Sequence, residues 1–105
     1  IETSGSYWLE VPKEVFITLS PKEHLNPKMP VKEQFWTRAN ELKIVISKVE
    51  DFEFYKEQSE KFKGHKYLQP EYYDGNESVQ KTINLLLENN DFKLSLQTHK
   101  IINIQ

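Results

Sequence analysis

The alternation of short β-branched runs with amphipathic stretches constrains this fold more than any other feature of the sequence. Leu42–Ile46 is apolar apart from Lys43, a pattern typical of a strand covered on both faces in a parallel sheet. Apolar residues recur at helical spacing before it, over 31–41, and after it, over 48–63. A strand joined through a helix to a parallel strand forms the right-handed crossover of α/β proteins. The sequence therefore predicts an α/β fold with a parallel sheet.

Other segments extend this order in both directions. Further strands are predicted at Val15–Leu19, Tyr67–Gln69 and Phe92–Leu96, and Ile1–Thr3 resembles the tail of one more. A third helix is expected, with its apolar face at Val79, Ile83, Leu86 and Leu87. Ser47 and Glu50 are expected to cap the second helix, and Gly64 to end it in the left-handed conformation. We treat residues 1–105 as a single α/β domain.

The length of the chain limits what this sheet can become. A closed eight-stranded α/β barrel needs about 200–250 residues, and the chain has 105. We therefore expect part of an incomplete TIM-like barrel, with an unpaired edge beside Ile1–Thr3. The chain opens with Ile1 and carries one methionine, Met29, so we expect a piece of a longer protein.

Composition excludes several classes of function. The formal charge of −2 argues against a nucleic-acid binder, which needs clustered Lys and Arg. The absence of cysteine excludes a disulfide framework, a thiolate nucleophile and an iron–sulfur cluster held by this chain alone. No apolar run approaches the roughly 18 residues of a membrane span. We expect a cytoplasmic protein with no membrane or nucleic-acid partner.

Candidate site residues follow from the geometry of parallel sheets, which place ligands at the carboxyl edge. Strands leave the sheet there at Glu2–Gly5, Ser20–Lys22, Ser47–Lys48, Gln69–Pro70 and Gln97–Lys100. Hydroxyl, amide and ammonium groups would converge on one concavity suited to a ligand with carboxylate or hydroxyl groups. The alternative is that these residues are polar because they meet water and cap helices.

No metal site and no catalytic residue can be named from these patterns. His24, His65 and His99 share no metal-ligand spacing, and His24 and His65 are assigned to loops. His99 follows a predicted strand, where it would contact either a ligand or a backbone carbonyl. Glu50 and Asp51 begin a helix, where carboxylates suit the helix dipole, and they are interpreted as structural.

Several strings together resemble one enzyme family. They are Ile1–Gly5, Leu19–Lys22, Arg38–Lys43, Leu68–Pro70 and the ending Leu94–Lys100 with Ile101–Ile104. In this order they resemble the C-terminal half of 7-carboxy-7-deazaguanine synthase, a radical S-adenosylmethionine enzyme of queuosine biosynthesis. The resemblance implies a lyase that converts 6-carboxy-5,6,7,8-tetrahydropterin to 7-carboxy-7-deazaguanine with loss of ammonia. It also implies a [4Fe–4S] cluster, a 5′-deoxyadenosyl radical and Mg²⁺. A homodimer is a further expectation.

The resemblance also assigns residues. It implies S-adenosylmethionine contacts at Thr3, Ser4, Ser20, Pro21, Lys22, Gln69, Pro70, Glu71, Tyr72 and Gln97, and pterin contacts at His99 and the C-terminal Gln105. The family's cluster-binding cysteines, its glycine-rich motif and its magnesium residues would lie upstream of Ile1, so we expect this chain alone to be inactive. Two alternatives remain open: a fragment of another radical S-adenosylmethionine activating enzyme, and a non-catalytic α/β interaction module.

Overall fold

A parallel sheet organises the computed structural model, which describes residues 1–8, 10–71 and 77–95. Its five strands are β1 (Glu2–Thr3), β2 (Thr18–Leu19), β3 (Glu41–Ile46), β4 (His65–Pro70) and β5 (Lys93–Leu94). The helices are α1 (Gln34–Arg38), α2 (Val49–Phe54), α3 (Lys56–Lys61) and α4 (Glu77–Glu88). Adjacent strands are parallel and follow chain order across the sheet. The predicted α/β class is therefore confirmed.

The hydrophobic core lies on one face of this sheet. Leu42, Ile44 and Ile46 alternate along β3 and are fully buried, and α2 and α4 contact this strand. Through the register of the sheet, Leu19 and Leu68 lie on the same face. The expectation that β3 is covered on both faces is wrong, because its other face is only half-buried and includes the charged Glu41 and Lys43.

The first two predicted helices are shorter than expected. The segment 31–41 contains only the five-residue α1, because Ala39 is already extended with a ψ of 147° and directs the chain into β3. The segment 48–63 is divided into α2 and α3 at Tyr55, whose φ of −109° and ψ of 8° are not helical. The predicted apolar face of this segment is nevertheless confirmed: Phe52, Tyr55, Ser59 and Phe62 are all buried.

Two predictions about helix ends are wrong. Asp51, rather than Glu50, caps α2: its Oδ2 accepts from the backbone N–H groups of Ser47 at 2.9 Å and Lys48 at 3.0 Å. Among the described residues only Gly5 has a positive φ, so Gly64 is no left-handed cap. Glycine is needed at position 64 for space, since a Cβ there would lie 2.2 Å from the Asn40 carbonyl oxygen.

The remaining differences concern α4 and the lengths of the strands. In α4 the structure buries Thr82 and Leu85, whereas Ile83 and Leu87 of the predicted apolar face are exposed. Of the predicted strand Val15–Leu19, only the last two residues pair as β2, since the Asn40 side chain instead accepts the Ile17 N–H at 2.9 Å. Of the predicted strand Phe92–Leu96, Leu96 lies outside the described residues, and of the other four Lys93 and Leu94 pair as β5.

Candidate ligand site at the carboxyl edge of the sheet

The loop after β2 places a charged group at the carboxyl edge of the sheet. Ser20 is only 2% exposed, Pro21 is buried beside it, and Lys22 is half-buried. The Lys22 ammonium donates to the Ser20 hydroxyl at 3.3 Å. Within the described part of the chain, no carboxylate forms a salt bridge with Lys22. Its charge is therefore available to an anionic ligand.

The carboxyl end of β4 contributes an amide. Gln69 is 3% exposed and pairs with Val45 across β3 and β4. Its Oε1 accepts a hydrogen bond from the Ser95 hydroxyl at 3.3 Å, which connects the end of β4 with the residue that follows β5. The Glu71 N–H donates to the Ile46 carbonyl at 2.9 Å, so the end of β4 is also held against β3. These contacts bring three neighbouring strand ends together at one edge, as predicted.

The loop after β1 uses its hydroxyls locally. The Thr3 Oγ1 accepts from the Gly5 N–H at 3.1 Å, and the Ser4 and Ser6 hydroxyls lie 3.1 Å apart. Thr3 and Ser4 are both half-buried. These contacts stabilise the turn that follows β1. The predicted contact of Thr3 and Ser4 with a cofactor stays a prediction.

The sheet face opposite the core carries polar residues that sequence reasoning did not place in the site. The Lys43 ammonium lies 2.7 Å from the Glu2 Oε1, and the Thr18 hydroxyl donates to the Glu41 Oε1 at 3.1 Å. Tyr67 pairs with Lys43 in the register of β3 and β4. The sequence contained a pattern that indicates this polar face, because Glu41 and Lys43 alternate with the apolar residues of the Leu42–Ile46 run.

A buried group of three side chains lies behind the edge, and sequence reasoning missed it too. His24, assigned to a loop, has a side chain that is only 3% exposed. Its Nδ1 lies 2.6 Å from the Tyr55 hydroxyl, and its Nε2 lies 3.9 Å from the Asp51 Oδ1. Burial lowers the pKa of His24, although the nearby Asp51 carboxylate opposes this shift. Burial also raises the pKa of Tyr55 to about 12, so both groups are neutral at pH 7.

Some predicted site residues cannot be placed. Tyr72, Gln97, His99 and Gln105 lie outside the described residues, so their assigned contacts stay predictions. The same is true of the predicted tail that follows Leu96.

Two grooves in the described part of the chain lie away from this edge. One of about 260 Å³ is lined by Trp36, Thr37 and Phe62, and a neighbouring one of about 250 Å³ shares Trp36 and adds Gln58. Both lie where α1 and α3 lead into β3 and β4, at the amino edge of the sheet. Ligands of parallel α/β sheets bind at the opposite, carboxyl edge, so we place the candidate site there.

These features indicate a class of protein: part of a parallel α/β barrel with polar side chains at the carboxyl edge of its sheet. Within the described residues, no helix has the length and apolar character of a membrane span. No protein-family model matches the chain.

Comparison with individual proteins is more specific. The chain is 35% identical over 107 residues to 7-carboxy-7-deazaguanine synthase of Synechocystis sp. and 37% identical over 106 residues to that of Flavobacterium psychrophilum. The crystal structure of QueE from Escherichia coli superposes with a TM-score of 0.77 at 27% identity. The resemblance to this family of enzymes is therefore confirmed, and so is the partial barrel.

The coverage of these matches is unequal. They include 100% and 99% of this chain, but only 49% and 48% of the two curated relatives. The structural match covers 91% of this chain and 43% of QueE. The chain thus spans about half the length of the proteins it resembles, which agrees with the prediction that it corresponds to one half of the synthase.

Proposed function

We propose that this chain is the C-terminal half of a cytoplasmic radical S-adenosylmethionine lyase that makes 7-carboxy-7-deazaguanine from 6-carboxy-5,6,7,8-tetrahydropterin. One observation carries the proposal: the whole chain aligns with synthases of that name. The aligned segment places Ser20 and Lys22 after β2, and Gln69 near the end of β4, at the carboxyl edge of the sheet. In this proposal the chain supplies hydrogen bonds and charge to the cofactor, and the other half of the enzyme supplies the metal centre.

The residues of this chain do not fit an iron–sulfur cluster. The sequence has no cysteine, and clusters of this kind are held by cysteine thiolates. Among the described residues, no three His, Cys, Asp or Glu side chains are grouped so as to hold a metal ion. We therefore assign the cluster ligands, and the residues that bind Mg²⁺, to the other half of the enzyme.

The carboxyl edge does fit S-adenosylmethionine, which carries a carboxylate, an ammonium group and ribose hydroxyls. When bound, this cofactor supplies the radical that abstracts hydrogen from the substrate. Lys22 would hold the cofactor's carboxylate with a charge-assisted hydrogen bond, and its contact with Ser20 orients the ammonium group. Gln69, buried and fixed by Ser95, would offer its amide to a ribose hydroxyl or the adenine. Thr3, Ser4, Pro70 and Glu71 would complete the surface around them.

Several predicted contacts extend this proposal beyond the described residues. Tyr72 and Gln97 would approach the cofactor, and His99 and the carboxylate of Gln105 would contact the pterin. A homodimer is also part of the proposal.

The experiment is anaerobic reconstitution of the full-length gene product with iron and sulfide, followed by incubation with S-adenosylmethionine, reductant and the carboxytetrahydropterin. We expect formation of 7-carboxy-7-deazaguanine, detected by mass spectrometry, and none from residues 1–105 alone. Cleavage of S-adenosylmethionine without consumption of the pterin would instead indicate another activating enzyme. No cleavage at all would favour a non-catalytic module.

A further inference from the structure

Three buried polar side chains connect two of the loops at the carboxyl edge. They are His24, Asp51 and Tyr55, which we call the His24 bridge. The side chains of His24 and Asp51 are each 3% exposed, and Tyr55 is 1% exposed. Burying polar groups has a free-energy cost unless hydrogen bonds compensate for it. Their arrangement therefore needs a structural or functional reason.

The contacts of Tyr55 determine which ring nitrogen of His24 carries the proton. The Tyr55 hydroxyl accepts the backbone N–H of His24 at 3.0 Å, so its own proton is free to point toward Nδ1 at 2.6 Å. Neutral His24 then carries its proton on Nε2. Among the described residues this Nε2 makes no well-formed hydrogen bond; it lies 3.9 Å from the Asp51 Oδ1, and the Val45 carbonyl also faces the ring. The ring is thus held at one side by Tyr55 and faces a carboxylate at the other.

Asp51 divides its two oxygens between two tasks. Its Oδ2 accepts from the Ser47 N–H, the Ser47 hydroxyl and the Lys48 N–H, at 2.9 to 3.0 Å, and so fixes the loop after β3. Its Oδ1 faces His24, which lies two residues beyond Lys22 in the loop after β2. The His24 bridge therefore joins the loop after β2 to the loop after β3.

We propose that His24 is a positioning residue. Through Tyr55 and Asp51 it holds the Ser20–Lys22 loop at a fixed position relative to the Ser47–Lys48 loop. Lys22 is thereby placed to bind the carboxylate of the cofactor. The inference rests on the proposed function. It goes beyond that function by assigning a role to residues that do not themselves contact a ligand. Small displacements of a binding group weaken binding steeply, because hydrogen bonds depend on distance and angle.

The test compares four variants of the full-length protein, reconstituted with iron and sulfide. His24→Ala removes the bridge, and Tyr55→Phe removes only the hydroxyl. His24→Asn keeps an acceptor near the position of Nδ1 and should restore the contact with Tyr55. Asn40→Ala is the matched control, because it removes the side-chain acceptor of the Ile17 N–H at the amino end of β2.

Two readouts are needed: the dissociation constant of S-adenosylmethionine, measured by calorimetry well below the unfolding temperature, and amide hydrogen exchange in both loops. We expect His24→Ala and Tyr55→Phe to weaken binding about tenfold and to accelerate exchange of the backbone amides of Ser20, Lys22, Ser47 and Lys48 together. His24→Asn should recover most of the affinity. Asn40→Ala should lower the unfolding temperature without changing the affinity.

The outcomes separate the two proposals. If the wild-type protein binds the cofactor and His24→Ala binds it equally well, the positioning role is wrong and the proposed function stands. If affinity falls only in proportion to stability, with Asn40→Ala equally affected, the positioning role is also wrong. If the wild-type protein does not bind S-adenosylmethionine, the proposed function is wrong. Independently of that result, faster amide exchange in only one of the two loops would show that the His24 bridge does not join them.

Discussion

Lys22 is the residue on which cofactor affinity should depend most directly. Its ammonium contacts only the Ser20 hydroxyl among the described residues and forms no salt bridge there. In the full-length protein, Lys22→Met should weaken S-adenosylmethionine binding about tenfold, because a charge-assisted hydrogen bond is lost. Isothermal calorimetry would measure this change.

Lys28 provides the control for that variant. It is exposed, lies in the same connection between β2 and α1, and its backbone N–H bonds to Asn26. Lys28→Met should leave both the affinity and the unfolding temperature unchanged. A similar loss of affinity in both variants would point to the general charge of the loop instead of a specific contact.

His24 should make the stability of the protein depend on pH. Burial lowers its pKa below 6.5, and Lys22 and Lys48 act in the same direction, whereas Asp51 and the Val45 carbonyl oppose the shift. Tyr55 and Glu23 complete the groups around it. The folded state therefore binds fewer protons than the unfolded state just below pH 6.5. Its stabilising contribution is complete above that pH and is lost as the pH falls below it.

The measurement is the free energy of unfolding in urea at several values between about pH 5 and 8. His24→Asn should flatten the dependence, because asparagine does not titrate. Asp91, whose pKa is lowered chiefly by its hydrogen bond with Lys66, loses its contribution only at more acidic pH. An identical slope in the wild type and in His24→Asn would contradict the assignment.

At the level of residues, the sequence predicted polar groups at strand ends better than polar groups brought together from distant elements. Lys22 and Gln69 could be named as candidates because each lies at the end of a predicted strand in the chain. His24 could not, because a histidine in a proline-rich loop gives no sign that Tyr55, 31 residues away, will bury it. Contacts between distant elements leave no local pattern.

Gly64, just before β4, lies very close to Asn40, just before β3, at the amino edge of the sheet. A Cβ at this position would lie 2.2 Å from the carbonyl oxygen of Asn40, a backbone atom that cannot move aside cheaply. Gly64→Ala should destabilise the protein by about 1–3 kcal/mol, as overpacking does. Denaturant unfolding of this variant would measure the loss.

Lys63→Ala serves as the neighbour control, because Lys63 is exposed and makes no hydrogen bond or salt bridge among the described contacts. Its stability should lie within about 0.5 kcal/mol of the wild type. Equal stability of Gly64→Ala and the wild type would mean that this close approach is absent.

At the level of elements, the sequence predicted which helices and strands exist and in what order they follow. It did not predict where each one begins and ends, or which side of β3 and of α4 is buried. A continuous apolar run identified β3, and helical spacing identified the buried residues Phe52, Tyr55, Ser59 and Phe62. The apolar arc of α4 is wide, and packing against β4 and β5 buries Leu85 instead of Leu87. The period alone does not determine which part of such an arc faces the core.

At the level of the whole molecule, the length of the chain, taken with the predicted α/β order, predicted part of a barrel. A sheet whose parallel strands follow chain order is the topology of an α/β barrel, and 105 residues supply only part of one. The chemistry could not be predicted from length or period. It came from the resemblance to the synthase family, which the curated relatives confirm over the whole of this chain.

In the proposed function, the carboxyl edge of this sheet forms half of a cofactor site. The most direct test is a crystal structure of the full-length, reconstituted protein with S-adenosylmethionine bound. We predict that the cofactor lies at the ends of β2 and β4, with its carboxylate within hydrogen-bond distance of the Lys22 ammonium. A cofactor bound in the Trp36 groove at the amino edge, or one that touches neither Lys22 nor Gln69, would contradict the claim.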